Sequence, residues 1–376
     1  MNDETVKLIN LNFTKEQYKM KGIEFLEKIK KSKINNITKQ FNHPKISVVI
    51  PVYNSEKTIK LSMKSIYFQN IKELEIIFVN DLSSDNSSLI LENLQNLDNR
   101  IRIINNKRNM GTLYSRCIGT LKAKGEYIIG LDNDDIFFNE NVFKIIYLNA
   151  KSNDFDIVEI KSFNIPNYSP SYDQIIDGKY IYHPNNLILH QPKLGLFSIF
   201  YNNKLEFRDH FAWGKLIKAK IYKKAVNKLG YKRYSLYNCW MDDMLIVFIL
   251  FNTAKSFIFL NLFGIFRVIT NNTTSHKLSS NHKLLSSIYY LDIIFDFSEK
   301  DFKIKRLIAN YALSFPLNRI NKLDNKNKLF FRAIIIKIIR SQFISNEIKK
   351  RLNQKFFGKS KKISLYKSFE LENEKN

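Results

Sequence analysis

From Lys45 onward, apolar and polar positions alternate in blocks. Lys45–Ile50 is a short, β-branched, almost wholly apolar run, the pattern of a strand buried on both faces. The spacing that follows predicts a helix over Lys57–Gln69, a strand over Leu74–Val79 and a helix over Asn86–Leu97. It then predicts a strand over Arg100–Ile104, a helix over Gly111–Lys122 and a strand over Tyr127–Leu131. Strands alternating with helices of this length imply βαβ units and a parallel sheet. Such sheets bind ligands beyond the carboxyl ends of their strands. Three polar clusters fall there: Tyr53-Asn54-Ser55, Asn80–Asp85 and Asp132–Asp135. Asn54-Ser55 is expected to cap the helix that follows it, and Asp85 either caps the next one or faces the crevice.

Outside this block the pattern is looser. Met1–Asn42 is polar and Lys-rich, with an imperfect helical stripe at Tyr18, Ile23, Phe25, Leu26 and Ile29. Phe155–Ile160 alternates as a strand, Leu194–Asn202 fits neither period, and Trp213–Val226 reads as a helix. Asp242–Phe251 predicts a helix opening on two aspartates, and Phe257–Phe266 a strand. Lys283–Phe357 reads as several basic amphipathic helices, and Gly358–Asn376 as a frayed tail. The organisation expected is a helical lead-in at 1–44, an α/β domain at 45–276, a basic helical region at 277–357 and a flexible tail at 358–376.

Hydrophobic content of 44% and aromatic content of 14% belong to a folded chain. Lys+Arg 60 against Asp+Glu 35 gives a formal charge of +25. That excess admits nucleic acid, an anionic membrane or phosphorylated substrates as partners. An AT-rich genome, which enriches Lys, Asn and Ile everywhere, accounts for it equally well. No recognised nucleic-acid motif accompanies the charge, so no nucleic acid is expected. Cys117 and Cys239 are too few and too separated for a disulfide framework or zinc site, and Cys117 is expected to be a small buried filler. No apolar signal segment opens the chain. The greasy stretch Met244–Phe266 is interrupted by Asn252, Thr253, Lys255 and Ser256 and is too broken to span a bilayer. A cytoplasmic location follows as the expectation. Phe330–Arg340 either rests peripherally on an anionic membrane or packs as a helical cap with a solvated basic face.

In so basic a chain, Asp132, Asn133, Asp134 and Asp135 after the apolar run ending at Leu131 need a reason. Carboxylates two apart at a buried strand's end share one side, where together they hold a divalent cation, and a cation there neutralises a diphosphate.

The segments VVIPVYNSEKTIKLSMKSI, VNDLSSDNS, NMGTLYSRCIG and GEYIIGLDNDD together resemble the family 2 glycosyltransferases of GT-A fold, and are similar to capsule- and protist-type members. The resemblance covers Lys45–Phe138 and continues more thinly through Trp213-Gly-Lys-Leu216, Met241-Asp242-Asp243 and Gly264-Ile-Phe-Arg267. It implies a mostly parallel sheet flanked by helices, followed by a helical C-terminal region. The implied activity is inverting, metal-dependent transfer of a hexose or N-acetylhexosamine from a nucleotide-sugar, a UDP-sugar by family habit. The implied acceptor is a hydroxyl on a glycan, lipid or protein. The other reading is a non-catalytic sugar-nucleotide binding module. A processive synthase is not expected, because the Gln-x-x-Arg-Trp signature is absent.

Residue by residue, the resemblance places Pro51, Tyr53 and Asn54 at the nucleoside and Asp81 at the uracil N3–H. Asn80 stands where the family has a first acid, and Leu82 where it has a glycine, which puts the loop path in doubt. Asn109, Gly111 and Arg116 match an Asn-x-Gly…Ala-Arg-Asn pattern, with Cys117 in the last place. Arg116 either supports the acidic loop, reaches a phosphate or lies on the surface. Mn²⁺ or Mg²⁺ is expected on Asp134 directly, with Asp132 at the ribose or the metal's waters and Asp135 orienting the loop or sugar. Asp242 and Asp243 match a Glu-Asp pair whose second acid is the general base. Trp240 is a candidate to stack on a sugar ring. Trp213, Lys215 and Arg267 match weaker acceptor-side or phosphate-facing positions.

Overall fold

The computed structural model describes residues 13–37, 39–177, 187–190, 200–201, 204–205, 212–231, 242–269, 288, 291–292, 294–296, 302–314, 317–321, 323, 325–342 and 344–357. Up to residue 269, apart from 204–205, these form one compact unit, and those from 288 belong to a second.

The first unit opens with helix α1 (Lys15–Lys31), followed by β1 (Ile46–Val52), α2 (Ile59–Tyr67), β2 (Leu74–Asn80), α3 (Ser87–Leu97), β3 (Ile101–Asn105), α4 (Thr112–Lys122) and β4 (Tyr127–Gly130). It continues through β5 (Ile136–Phe137), α5 (Val142–Ser152), β6 (Ile157–Ile165), β7 (Ile176–Asp177), β8 (Leu187–His190), β9 (Lys215–Lys218), α6 (Ala219–Leu229), α7 (Asp242–Thr253) and β10 (Ser256–Val268). One ten-stranded sheet runs β3-β2-β1-β4-β9-β6-β10-β5, with β7 beside β6 and β8 beside β10. The four strands β3, β2, β1 and β4 are mutually parallel. Every residue of β1 and β2 is buried, which is why both read as unbroken apolar runs. Because β2 and β4 flank β1, successive connections leave β1 in opposite directions, and a crevice opens at the carboxyl ends.

The expected helix over Trp213–Val226 is corrected: residues 215–218 form β9, and the helix begins at Ala219. Antiparallel pairing with both β4 and β6 overrides the helical spacing. Gly230, at φ 61°, ends α6 in the left-handed conformation suited to a helix C-terminus.

Helix α1 packs into the main core through Tyr18, Phe25, Leu26 and Ile29. Its Gly22 sits so close to β10 that an added Cβ would meet the Phe266 ring at 2.5 Å. The lead-in is thus part of the core of the α/β unit.

The second unit contains α8 (Phe302–Ser314), α9 (Leu317–Ile320), α10 (Asn325–Arg340) and α11 (Asn346–Phe357). Apolar side chains of α8, α10 and α11, among them Ile308, Phe331, Ile335 and Leu352, are buried, while Arg332 and Arg340 of α10 stay exposed. Among the described residues, no helix is long and apolar enough to cross a membrane. The 358–376 tail and nearly all of the ambiguous 194–202 stretch lie outside the described residues.

Candidate active site

The parallel ladder continues past the strand ends. Asp81 donates its amide to the Val52 carbonyl at 2.8 Å, and Asn106 donates to Asn80 at 2.9 Å. The loops after β1, β2 and β3 therefore emerge side by side. Asp81, only 4% exposed, is held by three N–H donors. Oδ1 accepts from the Asn106 side chain at 2.7 Å and the Met110 amide at 2.8 Å, and Oδ2 accepts from the Gly111 amide at 2.7 Å. Gly111 reaches that geometry at φ 86°, which favours glycine. Asn106 is a site residue that the sequence reading passed over; Asn109, singled out instead, is exposed.

Asn80 is more than a weakened acid. Its amide donates to Asn105 Oδ1 at 3.1 Å and Ser88 Oγ at 2.9 Å, while its Oδ1 accepts the Ser83 amide at 3.1 Å. A carboxylate could not donate. Leu82 adopts φ 61°, the backbone a glycine would take, so the doubt over the loop path resolves in favour of the glycine-like course. A left-handed non-glycine residue costs roughly 1–2 kcal/mol, and glycine returns roughly 0.5–1 kcal/mol of that through unfolded-chain entropy. Leu82 is also 54% exposed and has little packing to lose. Leu82→Gly is expected to raise stability by roughly 0.5–1 kcal/mol in urea denaturation.

The β1 and β2 loops are laced together. Asn54, at φ 50°, accepts the Ser84 amide on Oδ1 at 2.8 Å and donates its own amide to Ser83 Oγ at 3.1 Å. Capping of α2 by Asn54-Ser55 side chains is corrected: the N-cap is Thr58, and it is the Ser55 carbonyl that accepts the amides of Thr58 and Ile59. Asp85 likewise precedes the N-cap of α3, Asn86; its carboxylate accepts the Ser87 amide at 2.9 Å and the Glu56 amide at 3.0 Å. The bracing leaves the Tyr53 ring half exposed at the crevice.

After β4 the chain turns sharply, with the Asp135 amide donating to the Asp132 carbonyl at 3.1 Å. Three anchors hold the turn. Asn133 Nδ2 donates to the Pro51 carbonyl at 3.0 Å, the Tyr168 hydroxyl donates to the Asp134 carbonyl at 2.7 Å, and the Val268 amide donates to Asp135 Oδ1 at 3.1 Å. Pro51 lies beyond the last β1–β4 pair, Val49–Gly130, and its carbonyl receives Asn133. Of the roles expected for Asp135, fastening the loop is the one the geometry displays.

Oxygens of Asp132, Asp134 and Asp135 lie within 4.8 Å of one another. Burial, then the neighbouring Asp132 charge, pushes Asp134 up to about 6. Burial, then Asp134 and Asp132, raises Asp135 well above the usual carboxylate range. Oδ2 of Asp135 is buried with no hydrogen-bond partner among the described residues. Crowded, desolvated carboxylates with an unsatisfied oxygen fit a hard divalent cation, which takes oxygen ligands. Arg267, on β10, tempers the cluster by drawing Asp134 and Asp135 downward.

Arg116 is neither a surface cation nor placed against solvent. On α4 and 4% exposed, it donates from Nη2 to Asp132 Oδ1 at 2.5 Å, and its Nε lies 3.3 Å from Asp243 Oδ1. Asp243, in the first turn of α7, is raised by burial, partly offset by Arg116. The Asp242 side chain and all of Trp240 lie outside the described residues. Lys215 is corrected: it is buried opposite Glu159 in the β9–β6 pairing and bonds it at 2.8 Å, since a charge held inside a sheet requires a partner. Trp213 is corrected too, being 3% exposed and bridged to Gly130 within the core. Cys117 is buried, as a filler should be.

A 3-2-1-4 parallel half-sheet extended by a mixed set of strands, with an acidic turn after β4, defines a GT-A fold. Residues 47–224 match the Glycosyl transferase family 2 model, so that segment is a family 2 glycosyltransferase domain. Glycosyltransferase GlyG of Streptococcus pneumoniae is 36% identical over 137 residues, covering 36% of this chain and 43% of GlyG. A cholesterol galactosyltransferase of Borreliella burgdorferi is 28% identical over 312 residues, covering 78% of this chain and 81% of that protein. This chain spans less than half the length of GlyG and of two Haemophilus influenzae glycosyltransferases, 41% and 32% of the latter. The solved S. aureus TarS 1–349 in complex with UDP-GlcNAc shares the fold at TM-score 0.55 and 16% identity, over 81% of this chain and 82% of that one.

Proposed function

We propose that the chain transfers a hexose or N-acetylhexosamine from a UDP-sugar to an acceptor hydroxyl, with inversion, using Mn²⁺ or Mg²⁺. The observation that carries the reading is the carboxylate cluster at the end of β4, with its raised acids and unpartnered Asp135 oxygen. Asp132 and Asp134 would hold the cation, and Asp135 would support them from behind. A cation there supplies electrostatic relief to the diphosphate as the sugar–oxygen bond weakens.

The protein's own residues do the rest. Tyr53 offers a half-exposed ring for the base to lie against. Asp81 keeps the uracil role assigned by resemblance, and it also fixes the 106–111 loop beside the base. Asp243 takes the proton of the acceptor hydroxyl as that oxygen attacks the anomeric carbon. The new glycosidic bond forms on the face opposite the nucleotide, and the bonding pair leaves with the diphosphate oxygen. Burial raises the proton affinity of Asp243, which strengthens it as a base.

The acceptor class stays at hydroxyls of glycans, lipids or proteins. The relative named a cholesterol galactosyltransferase favours a lipid, and the exposed Arg332 and Arg340 of α10 suit peripheral contact with an anionic membrane from the cytoplasmic side. The test is a panel of nucleotide-sugars with and without Mn²⁺, followed by melting temperature and nucleotide release. A UDP-sugar should raise the melting point, by the equivalent of about 2.7 kcal/mol at a hundredfold excess over Kd, and should be consumed only with the metal. Binding without turnover would identify a binding module, and neither binding nor turnover would defeat the proposal.

A further inference from the structure

Asp132 and Asp243 stand on different elements, the turn after β4 and the first turn of α7, yet one guanidinium touches both. The guanidinium is a rigid, planar fork; its Nη2 hydrogen-bonds Asp132 while its Nε keeps an ion-pair distance of 3.3 Å to Asp243, so one group relates the two carboxylates in space as well as in charge. The fork is also confined. At Gly130 an added Cβ would press on the Ala212 carbonyl at 3.2 Å and come into ordinary contact with Arg116 Nη1 at 3.5 Å, so the guanidinium lies directly against the end of β4.

We propose that Arg116 is a positioning residue that holds Asp243 in register with the donor-side Asp132, and that it competes with the divalent cation for the Asp132 carboxylate. This rests on the transferase reading of the same site. Asp132 Oδ1 already receives the Arg116 hydrogen bond. A dication arriving at that carboxylate meets a fixed positive charge at close range, which opposes it. Arg116 therefore weakens cation binding while it sharpens the chemistry. A residue that merely supported the fold, or one that reached the diphosphate, would influence both in the same direction.

The experiment separates these effects with two substitutions on the full chain. Arg116→Gln removes the charge, and Arg116→Lys keeps the charge but loses the fork. Mn²⁺ affinity is measured by calorimetry in the presence of UDP, and kcat and KM are measured for the UDP-sugar that the wild-type protein uses. Arg116→Gln is expected to bind Mn²⁺ about tenfold more tightly, with kcat down by about 10²-fold from the lost spacing and KM little changed. Arg116→Lys is expected to show a similar kcat loss with Mn²⁺ affinity near the wild-type value. Weaker Mn²⁺ binding in Arg116→Gln, an undiminished kcat in either variant, or a raised KM at unchanged kcat would each overturn the proposal. Should Arg116→Gln fail to fold, the kcat and Mn²⁺ values of Arg116→Lys decide it. Wild-type protein without turnover defeats the transferase reading, and the Mn²⁺ titrations still decide whether Arg116 and the cation compete.

Discussion

Asp243→Asn will lower kcat by about 10²–10⁴-fold, the usual contribution of a general base, and will leave UDP binding intact. Asparagine keeps the size of the side chain and an oxygen for Arg116, 3.3 Å from Nε in the native protein. What it cannot do is accept the acceptor's proton. Because Asp243 lies on α7 and not on the loops after β1, β2 and β3 that are proposed to hold the nucleoside, the loss belongs in kcat and not in KM. Steady-state kinetics with parallel UDP calorimetry checks this. An Asn variant with wild-type kcat would move the base elsewhere.

Asp134→Asn will abolish metal-dependent turnover and yet make the metal-free protein more stable. Asp134 is raised from 3.8 to about 6 by burial and then by Asp132. An acid raised in the folded state binds its proton more tightly there than in the unfolded chain. Stability of the metal-free protein therefore falls as pH climbs from about 4 through about 6. Asparagine cannot ionise, so the variant escapes that part of the loss, and its melting point at pH 7 should exceed the wild-type value. Mn²⁺ with UDP should then raise the wild-type melting point and leave the variant's nearly unmoved. A metal-free Asp134→Asn protein less stable than wild type would show that the crowding of carboxylates is not under strain.

Much of this was legible in the chain. The strands carrying the site are buried on both faces, so β1, β2 and β4 announce themselves as apolar runs, and polar clusters at their ends mark the crevice. The acidic turn was legible because Asp132, Asp134 and Asp135 are local in sequence. What the sequence could not disclose depends on pairing at a distance. Residues 215–218 became a strand because β4 and β6 flank them, which no local spacing encodes. Lys215 looked available for a substrate until Glu159 appeared opposite it. Asn106 differs from Asn109 only in which side of the loop meets Asp81. The Arg116 link to Asp243 joins two helices that are far apart in the chain. Leu82 had one legible signal, its place where the resemblance expects a glycine; the doubt this raised over the loop path is answered by its positive φ, which keeps the glycine-like course.

The most direct measurement is anomalous scattering from crystals grown with Mn²⁺ and UDP. A manganese peak within ligand distance of Asp132 or Asp134, touching the diphosphate, is the predicted result. A peak elsewhere, or UDP bound in the crevice with no manganese beside those carboxylates, would contradict the account.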